Sequence, residues 1–455
     1  MMRATYDLQR TLGFRDLVLL AVGTVIGSGI YLVPSVVLRQ TGSQIGPAML
    51  VWIVAGVLSL LGALTYAELG AMKPEAGGLY AFIRDAFGPL WSFLFGWTSF
   101  FVIASGSIAA LSVAFSGYVS QIVPMGATAS RFVAVAVIAF TALINVRGTR
   151  HSARVQNWTT GVKMGALLVM GIGLVVFGRA PQSDVTTVWP SALTPSLLTG
   201  FGTAMIAVLW AYEGWQYVTF SAGETLDPQR TFPRAITSAT IALIVTYVLA
   251  SYGYIVALGP QAAAHTDHIA ADAIAASFGP VAGKLVGVLI LVSIFSATNG
   301  LMLSAPRLYF AMARDGVFFQ RLAVVDQRFG TPAFAIAAIA GWAAVLAISG
   351  TFEQLLTYVV FTGWIFYGLG GLAVLQLRRA DPNAIRPFRV PGYPVTPLLF
   401  VASAALLVGN TVFTQPTRAL AGLAVMLVGT PAFYFWRASA RQVVTVTSST
   451  PGEIE

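Results

Sequence analysis

Two ionisable side chains fall inside apolar stretches of the sequence, where charge is costly. Lys163 lies within Gln156–Phe177, and Glu213 lies within Leu198–Ser221 beside Gly214. A charged side chain at the centre of a bilayer costs about 2.5–3.5 kcal/mol on insertion scales, so each should have a partner or a task. For Glu213, we weigh a substrate-linked or proton-titrating group against a structural acceptor, and slightly favour the acceptor.

Glycines interrupt two apolar stretches at mid-membrane depth. The first stretch contains Ala21-Val-Gly-Thr-Val-Ile-Gly-Ser-Gly-Ile30, and the sixth contains Leu209-Trp-Ala-Tyr-Glu-Gly-Trp215. Glycines in membrane helices commonly serve close packing. Here, however, the interruptions are five spans apart and occupy equivalent places in two consecutive five-helix units. Units with an odd number of spans insert with opposite orientation, a pattern typical of inverted-repeat transporters with discontinuous helices.

An unwound helix exposes backbone groups that can bind a charged ligand. Amides at the start of one half bind anions, and carbonyls at the end of the other half bind cations. A ligand that carries a carboxylate and an ammonium on adjacent atoms suits this arrangement, so the pattern points to an α-amino acid. The residues expected to bind it are Val25, Gly27, Ser28, Gly29, Ile30, Trp210, Ala211 and Glu213.

The composition indicates that membrane-spanning helices hold these residues. The 455 residues are 57% hydrophobic, and only 9% are charged. An average soluble protein is about 25% charged, so these charges are too few to cover a soluble surface. This composition excludes a disordered chain, an ordinary cytosolic enzyme and, despite a net charge of +9, a nucleic-acid binder. Without cysteine the chain forms no disulfide and no thiolate metal site.

Twelve apolar stretches predict an all-α polytopic membrane protein with twelve transmembrane helices, of which helices 1 and 6 are broken. These are Phe14–Leu38, Pro47–Leu69, Leu90–Val123, Phe132–Asn145, Gln156–Phe177, Leu198–Ser221, Ala235–Leu258, Val281–Phe310, Pro332–Ser349, Phe352–Leu377, Val395–Phe413 and Ala419–Trp436.

Basic residues predict the orientation of these spans. Of the 26 lysines and arginines, 20 fall in the N-terminus, the even loops and the C-terminal tail, and five fall on the other side. The positive-inside rule therefore puts both termini in the cytoplasm. We expect residues 1–13 to be a cytoplasmic N-terminus and 437–455 a disordered cytoplasmic tail. Glu224, Asp227, Arg230 and Arg234 form either a cytoplasmic salt-bridge latch or a solvated loop.

Several motifs, in this order and at these spacings, resemble the amino acid–polyamine–organocation (APC) superfamily, and within it the bacterial branch of the L-type amino acid transporter (LAT) family. The motifs are Ile26-Gly-Ser-Gly-Ile30, Gly46-Pro-Ala48, Tyr66-Ala-Glu-Leu69, Gly77-Gly-Leu-Tyr80, Ala211-Tyr-Glu-Gly-Trp215, Glu224…Asp227-Pro…Arg230…Pro233-Arg-Ala-Ile236, Arg307…Ala313-Arg-Asp-Gly316 and Phe388-Arg-Val-Pro-Gly-Tyr-Pro394.

This resemblance implies a LeuT-like fold with a 5+5 inverted repeat and alternating access. The repeats would span 14–197 and 198–380, with helices 11 and 12 in 381–436. It implies carboxylate-binding amides at Ser28 and Gly29, and an aromatic gate at Trp210. The ammonium would bind the carbonyls of four residues, which are Val25, Trp210, Ala211 and Glu213. It also implies that Lys163 takes the place of a sodium ion between helices 1 and 8, near the Gly27 region. Its other expected neighbour is Ser293 or Ser296. The less favoured alternative is that Lys163 snorkels to the cytoplasmic interface.

The expected function is sodium-independent exchange of neutral L-amino acids in a bacterial inner membrane. A proton-coupled amino acid permease, a polyamine or other amine permease, and a transporter-like amino acid sensor are alternatives. The expected partners are the amino acid and membrane lipid. We expect no cofactor, metal, nucleic acid or disulfide-linked ancillary subunit, and no enzyme motif is present. For His265 and His268, a solvated loop is favoured over a zinc site.

Overall fold

The computed structural model describes residues 8–179, 188–192, 194–350 and 352–448, and within these ranges the chain is built from helices. The first nine α-helices are α1 (Phe14–Val25), α2 (Gly29–Gln40), α3 (Ile45–Met72), α4 (Leu79–Phe87), α5 (Pro89–Thr98), α6 (Ala104–Ile122), α7 (Ala127–Val146), α8 (Thr149–Phe177) and α9 (Pro195–Ala211). The other nine are α10 (Pro228–Leu258), α11 (Pro260–His265), α12 (Ile269–Phe278), α13 (Pro280–Ser304), α14 (Pro306–Arg314), α15 (Ala333–Ser349), α16 (Phe352–Ala380), α17 (Val395–Thr414) and α18 (Pro416–Ser448).

The all-helical, polytopic architecture expected from the sequence is confirmed. In the described part of the chain, ten helical segments are long and apolar enough to cross a membrane, and the bent pair of α1 and α2 makes up to eleven. Helix α15 is also apolar, but its 17 residues give a length of only about 26 Å. The count of twelve spans and the division into two inverted repeats therefore stay predictions.

Both glycine-rich interruptions coincide with changes in helix geometry. Helix α1 ends at Val25, α2 begins at Gly29, and their axes differ by 48°. Helix α9 ends at Ala211, and the chain resumes as a 3₁₀ helix over Trp215–Glu224. Gly214 joins these two pieces with a φ of +134°, a backbone conformation that residues with a side chain rarely adopt.

A buried ion pair joins distant elements on the predicted cytoplasmic side. The Nε of Arg307 donates to Glu224 Oε2 at 2.6 Å, and both side chains are at most 1% exposed. The hydroxyl of Thr149 donates to Glu224 Oε1 at 2.8 Å and accepts from an Arg307 terminal nitrogen at 2.8 Å. Arg230 and Arg234 are exposed. The sequence left a latch and a solvated loop open for this segment. Glu224 pairs with Arg307 and not with Arg230 or Arg234, and these two arginines are exposed as the second alternative expects.

The backbone of Glu224 also holds the N-terminal segment. Its carbonyl accepts from the amides of Thr11 and Leu12, both at 2.9 Å, and the amide of Leu226 donates to Leu12 O at 2.8 Å. Leu12 and Thr225 thereby form a short parallel bridge. One residue thus connects the N-terminus with α14.

The end of the chain differs in part from expectation. Helix α18 continues past Trp436 as far as Ser448, so the first part of the predicted disordered tail is helical. The rest of that tail, 449–455, and most of the predicted N-terminal segment, 1–7, lie outside the described residues.

Candidate functional site

The two interruptions border a common cavity of about 60 Å³. Seven of the eight residues expected to bind substrate line it: Val25, Gly27, Ser28, Gly29, Trp210, Ala211 and Glu213. The eighth, Ile30, is fully buried in the first turn of α2 and does not contribute to the wall. The wall also includes Thr24, Gly214, Tyr217, Ser107, Ala110, Leu111, Leu301 and Val359.

One side of the cavity offers backbone amides. Across the described residues, the amides of Ser28, Gly29 and Ile30 have no backbone acceptor. They stand at the start of α2, where the unsatisfied amides and the helix dipole favour an anion. The buried hydroxyl of Ser28 likewise has no partner among the described residues. This end of the cavity can bind a carboxylate.

The four residues expected to bind the ammonium also line the cavity, and two of their carbonyls are already engaged. The Trp210 carbonyl accepts from the amide of Glu213 at 2.9 Å. The Val25 carbonyl accepts from the amide of Gly27 at 2.8 Å and from the Tyr247 hydroxyl at 3.2 Å. For the carbonyls of Ala211 and Glu213, no donor is found within the described ranges. Of the four expected ammonium ligands, these two therefore have the most remaining capacity.

Glycine allows the two interruptions to approach each other closely. A Cβ on Gly214 would lie 2.8 Å from the carbonyl carbon and oxygen of Thr24, and a Cβ on Gly29 would lie 3.0 Å from the Ala211 side chain. The Thr24 hydroxyl donates to Gly214 O at 3.0 Å, which holds the first interruption against the second.

Gly214→Ala is expected to lower transport at least about tenfold, because it combines a forbidden backbone conformation with a clash. Gly202→Ala is the matched control. It lies in α9, and its added Cβ would meet no atom within 4 Å. Initial uptake rates, normalised to the amount of folded protein, measure the difference. Equal rates in both variants would contradict the close approach.

Lys163 lies in the middle of α8 and is fully buried. Its ammonium donates to the carbonyls of Gly23 at 2.7 Å, Ile26 at 2.5 Å and Ser293 at 3.3 Å. Gly23 and Ile26 belong to the C-terminal end of α1, where unsatisfied carbonyls and the helix dipole favour a cation. The lysine thus joins the first interruption to α8 and α13.

The two serines expected near Lys163 have different surroundings. The Ser293 hydroxyl donates to the carbonyls of Ile26 at 3.1 Å and Gly27 at 3.0 Å, so it reinforces the same junction. The Ser296 hydroxyl instead bonds to Thr159 at 3.0 Å and Thr160 at 3.2 Å. Ser296 therefore connects α13 with α8 without a hydrogen bond to the lysine.

The carboxylate of Glu213 is hydrogen-bonded to a residue of α16. Its Oε1 accepts from the Tyr367 hydroxyl at 2.9 Å, and the Gln216 amide lies 3.5 Å from the same oxygen. The Tyr367 carbonyl in turn accepts from the Tyr66 hydroxyl at 3.0 Å. Sequence reasoning missed Tyr367 and Tyr217, because aromatic residues in membrane spans usually serve packing and nothing in their spacing marked them.

Known proteins resemble this chain over almost its whole length. The family model described as amino acid permease matches residues 12–433. The serine/threonine exchanger SteT of Bacillus subtilis is 31% identical over 94% of this chain and 97% of its own. The Asc-type amino acid transporter 1 of Homo sapiens is 31% identical over 97% of this chain and 86% of its own. The b(0,+)-type amino acid transporter 1 of Homo sapiens is 30% identical over 95% of this chain and 88% of its own.

Proposed function

We propose that this chain, which belongs to the amino acid permease family of the APC superfamily, exchanges small neutral L-amino acids without sodium. It is an integral plasma membrane protein of a transporter family and not an enzyme. The observation that carries the proposal is the cavity between the interruptions, whose wall includes residues with unpaired amides and residues with unpaired carbonyls. An amino acid places its carboxylate on the amides of Ser28 and Gly29 and its ammonium on the carbonyls of Ala211 and Glu213.

The size of the cavity supports a small substrate. A single water molecule needs about 10–15 Å³ of cavity volume, so a cavity of about 60 Å³ has room for roughly four to six water molecules. That space suits the backbone of an amino acid with a short side chain. Trp210, at the edge of this space, is proposed to cover the substrate from one side during alternating access.

Lys163 supports independence from sodium. A sodium ion at this junction would use carbonyl and hydroxyl oxygens, and the carbonyls of Gly23, Ile26 and Ser293 are occupied by the ammonium. A fixed cation therefore replaces an exchangeable one. In this arrangement nothing at the junction requires an external sodium ion.

Both termini are proposed to face the cytoplasm, because most basic residues fall on that side.

Exchange is tested with the purified protein in liposomes. Uptake of labelled L-alanine, with sodium absent, is expected to rise about tenfold or more when the liposomes contain unlabelled L-alanine. Added sodium should leave the rate unchanged. Protein-free liposomes give the background.

The contrary result is also specific. Uptake into empty liposomes that is driven by an inward proton gradient, with no stimulation by internal amino acid, would contradict exchange and favour a proton-coupled permease. Saturable alanine binding without any uptake would instead favour a sensor.

A further inference from the structure

Besides the Ser28 hydroxyl, two polar groups on the cavity wall are buried without a hydrogen-bond partner among the described residues. They are Oε2 of Glu213 and the hydroxyl of Tyr217. Tyr217 is only 3% exposed, and both residues belong to the cavity wall. A buried polar atom without a partner loses its hydration and gains nothing in return, so such atoms are rare in folded proteins. At a binding cavity they indicate a group that the ligand supplies.

The position of these groups shows which part of a ligand would meet them. The α-carboxylate and α-ammonium are already assigned to backbone groups of the two interruptions. Glu213 lies two residues after Ala211, in the second interruption, and Tyr217 lies in the 3₁₀ helix that follows. The substrate side chain is the remaining part of the ligand, and Glu213 and Tyr217 line the same cavity as the backbone groups assigned to its carboxylate and ammonium.

The other residues of the cavity wall limit which substrate side chains can bind there. Apolar side chains of Ala110, Leu111, Leu301 and Val359 form much of the wall, and Glu213 is its one ionisable carboxylic acid. No lysine or arginine lines this cavity in the described residues. A short side chain with a hydroxyl group can donate to Oε2 and pair with the phenol, whereas an apolar side chain of equal size leaves both unpaired.

We propose that Glu213 and Tyr217 form a subsite for a hydroxyl group on the substrate side chain. The inference rests on the proposed function. It gives the two carboxylate oxygens different roles. Oε1 accepts a hydrogen bond from the Tyr367 hydroxyl, which orients the carboxylate. Oε2 accepts a hydrogen bond from the substrate hydroxyl. A site built to hydrogen-bond a substrate hydroxyl discriminates strongly against an analogue that lacks it, because its own polar groups then stay unpaired.

The competing explanation is internal. The indole nitrogen of Trp364, on α16, is also buried without an acceptor among the described residues, and it is a potential donor to Glu213. The hydroxyls of Ser107 and Tyr367 are potential internal partners of the Tyr217 hydroxyl. If Trp364 satisfies Oε2 in the working protein, Glu213 is a structural acceptor only. Discrimination between hydroxyl and methyl groups on the substrate separates the two explanations.

The test uses L-serine and L-2-aminobutyrate, which differ by a hydroxyl in place of a methyl group. Both compete against labelled L-alanine in exchange across liposomes. The wild-type protein is expected to have a half-inhibition concentration at least about tenfold lower for L-serine. Tyr217→Phe is expected to reduce this ratio at least about threefold, and Glu213→Met to bring it to about one or below.

Tyr254→Phe is the matched control. The Tyr254 hydroxyl is also buried without a partner in the described part of the chain, but Tyr254 lies on α10 and does not line the cavity. Its serine ratio should equal that of the wild type. Tyr217→Phe removes a single oxygen, so it keeps the test decisive even if Glu213→Met does not fold.

Each of the other outcomes would overturn one specific element of the proposal. Alanine exchange with equal inhibition by serine and 2-aminobutyrate overturns the subsite and leaves the proposed function standing. Stronger inhibition by L-2,3-diaminopropionate than by serine means that the carboxylate recognises a cation and overturns the hydroxyl assignment. A serine preference that survives both Tyr217→Phe and Glu213→Met overturns the assignment of these residues. Absence of alanine exchange in the wild type overturns the proposed function and this inference with it.

Discussion

Lys163→Ala is expected to reduce alanine exchange by about a hundredfold or more, while the protein still inserts and folds. The variant removes the ammonium that joins Gly23 and Ile26 of the first interruption to Ser293 of α13. Hydrogen bonds to charged groups contribute about 1.5–3 kcal/mol each, and two of them account for a hundredfold change. The fold persists because burying an ammonium is itself costly, so its removal returns part of the loss.

Exchange rates and thermal unfolding in detergent check this prediction together. Lys284→Ala is the matched control, because Lys284 is exposed at the start of α13 and makes no ion pair with the described residues. It should exchange at the wild-type rate. A Lys163→Ala protein with wild-type exchange would show that the lysine does not maintain the first interruption.

Arg307→Met is expected to destabilise the protein by about 3–5 kcal/mol, because it leaves the carboxylate of Glu224 buried and unpaired. The double variant Glu224→Gln with Arg307→Met should recover most of this loss, since it removes both charges. The hydroxyl of Thr149 can still bond to the glutamine. Replacing both charged residues therefore changes the free energy of unfolding little, whereas removing the arginine alone lowers it strongly.

Denaturant unfolding in mixed micelles, followed by tryptophan fluorescence, measures the free energies of unfolding of the wild type, the single variant and the double variant. Arg230→Met serves as the control, since Arg230 is exposed at the start of α10 and should change stability by less than about 0.5 kcal/mol. A double variant as unstable as Arg307→Met alone would mean that the arginine acts through packing and not through its charge.

The positions of the two interruptions and seven of the fifteen cavity-wall residues could be identified from the sequence, because both depend on local properties. Glycine within an apolar span marks a place where a helix can unwind, and an unwound segment has a fixed backbone chemistry. Seven of the eight expected residues lie on the wall for that reason. Lys163 was predictable for a similar reason, because a charge inside a span must have a partner.

The partners of side chains were harder to predict, because they come from distant parts of the chain. Arg307 is 83 residues from Glu224, and Tyr367 is 154 residues from Glu213. Arg230 and Arg234 were nearer to Glu224 in sequence, but α10 carries them to an exposed surface. Ser296 is separated from Lys163 because helix α13 directs it to Thr159 and Thr160 instead.

The fixed ammonium of Lys163 also has a bioenergetic consequence. A cation that is part of α8 does not cross the membrane with the substrate, so moving a zwitterion in exchange for another transfers no net charge. The membrane potential, worth about 2.3 kcal/mol per charge at 100 mV, then does no work on transport. A sodium-coupled relative could use this energy for roughly a fiftyfold concentration ratio. Under the proposed sodium-independent exchange this protein forgoes it, and the direction of net flow follows only the ratios of the amino acids on the two sides.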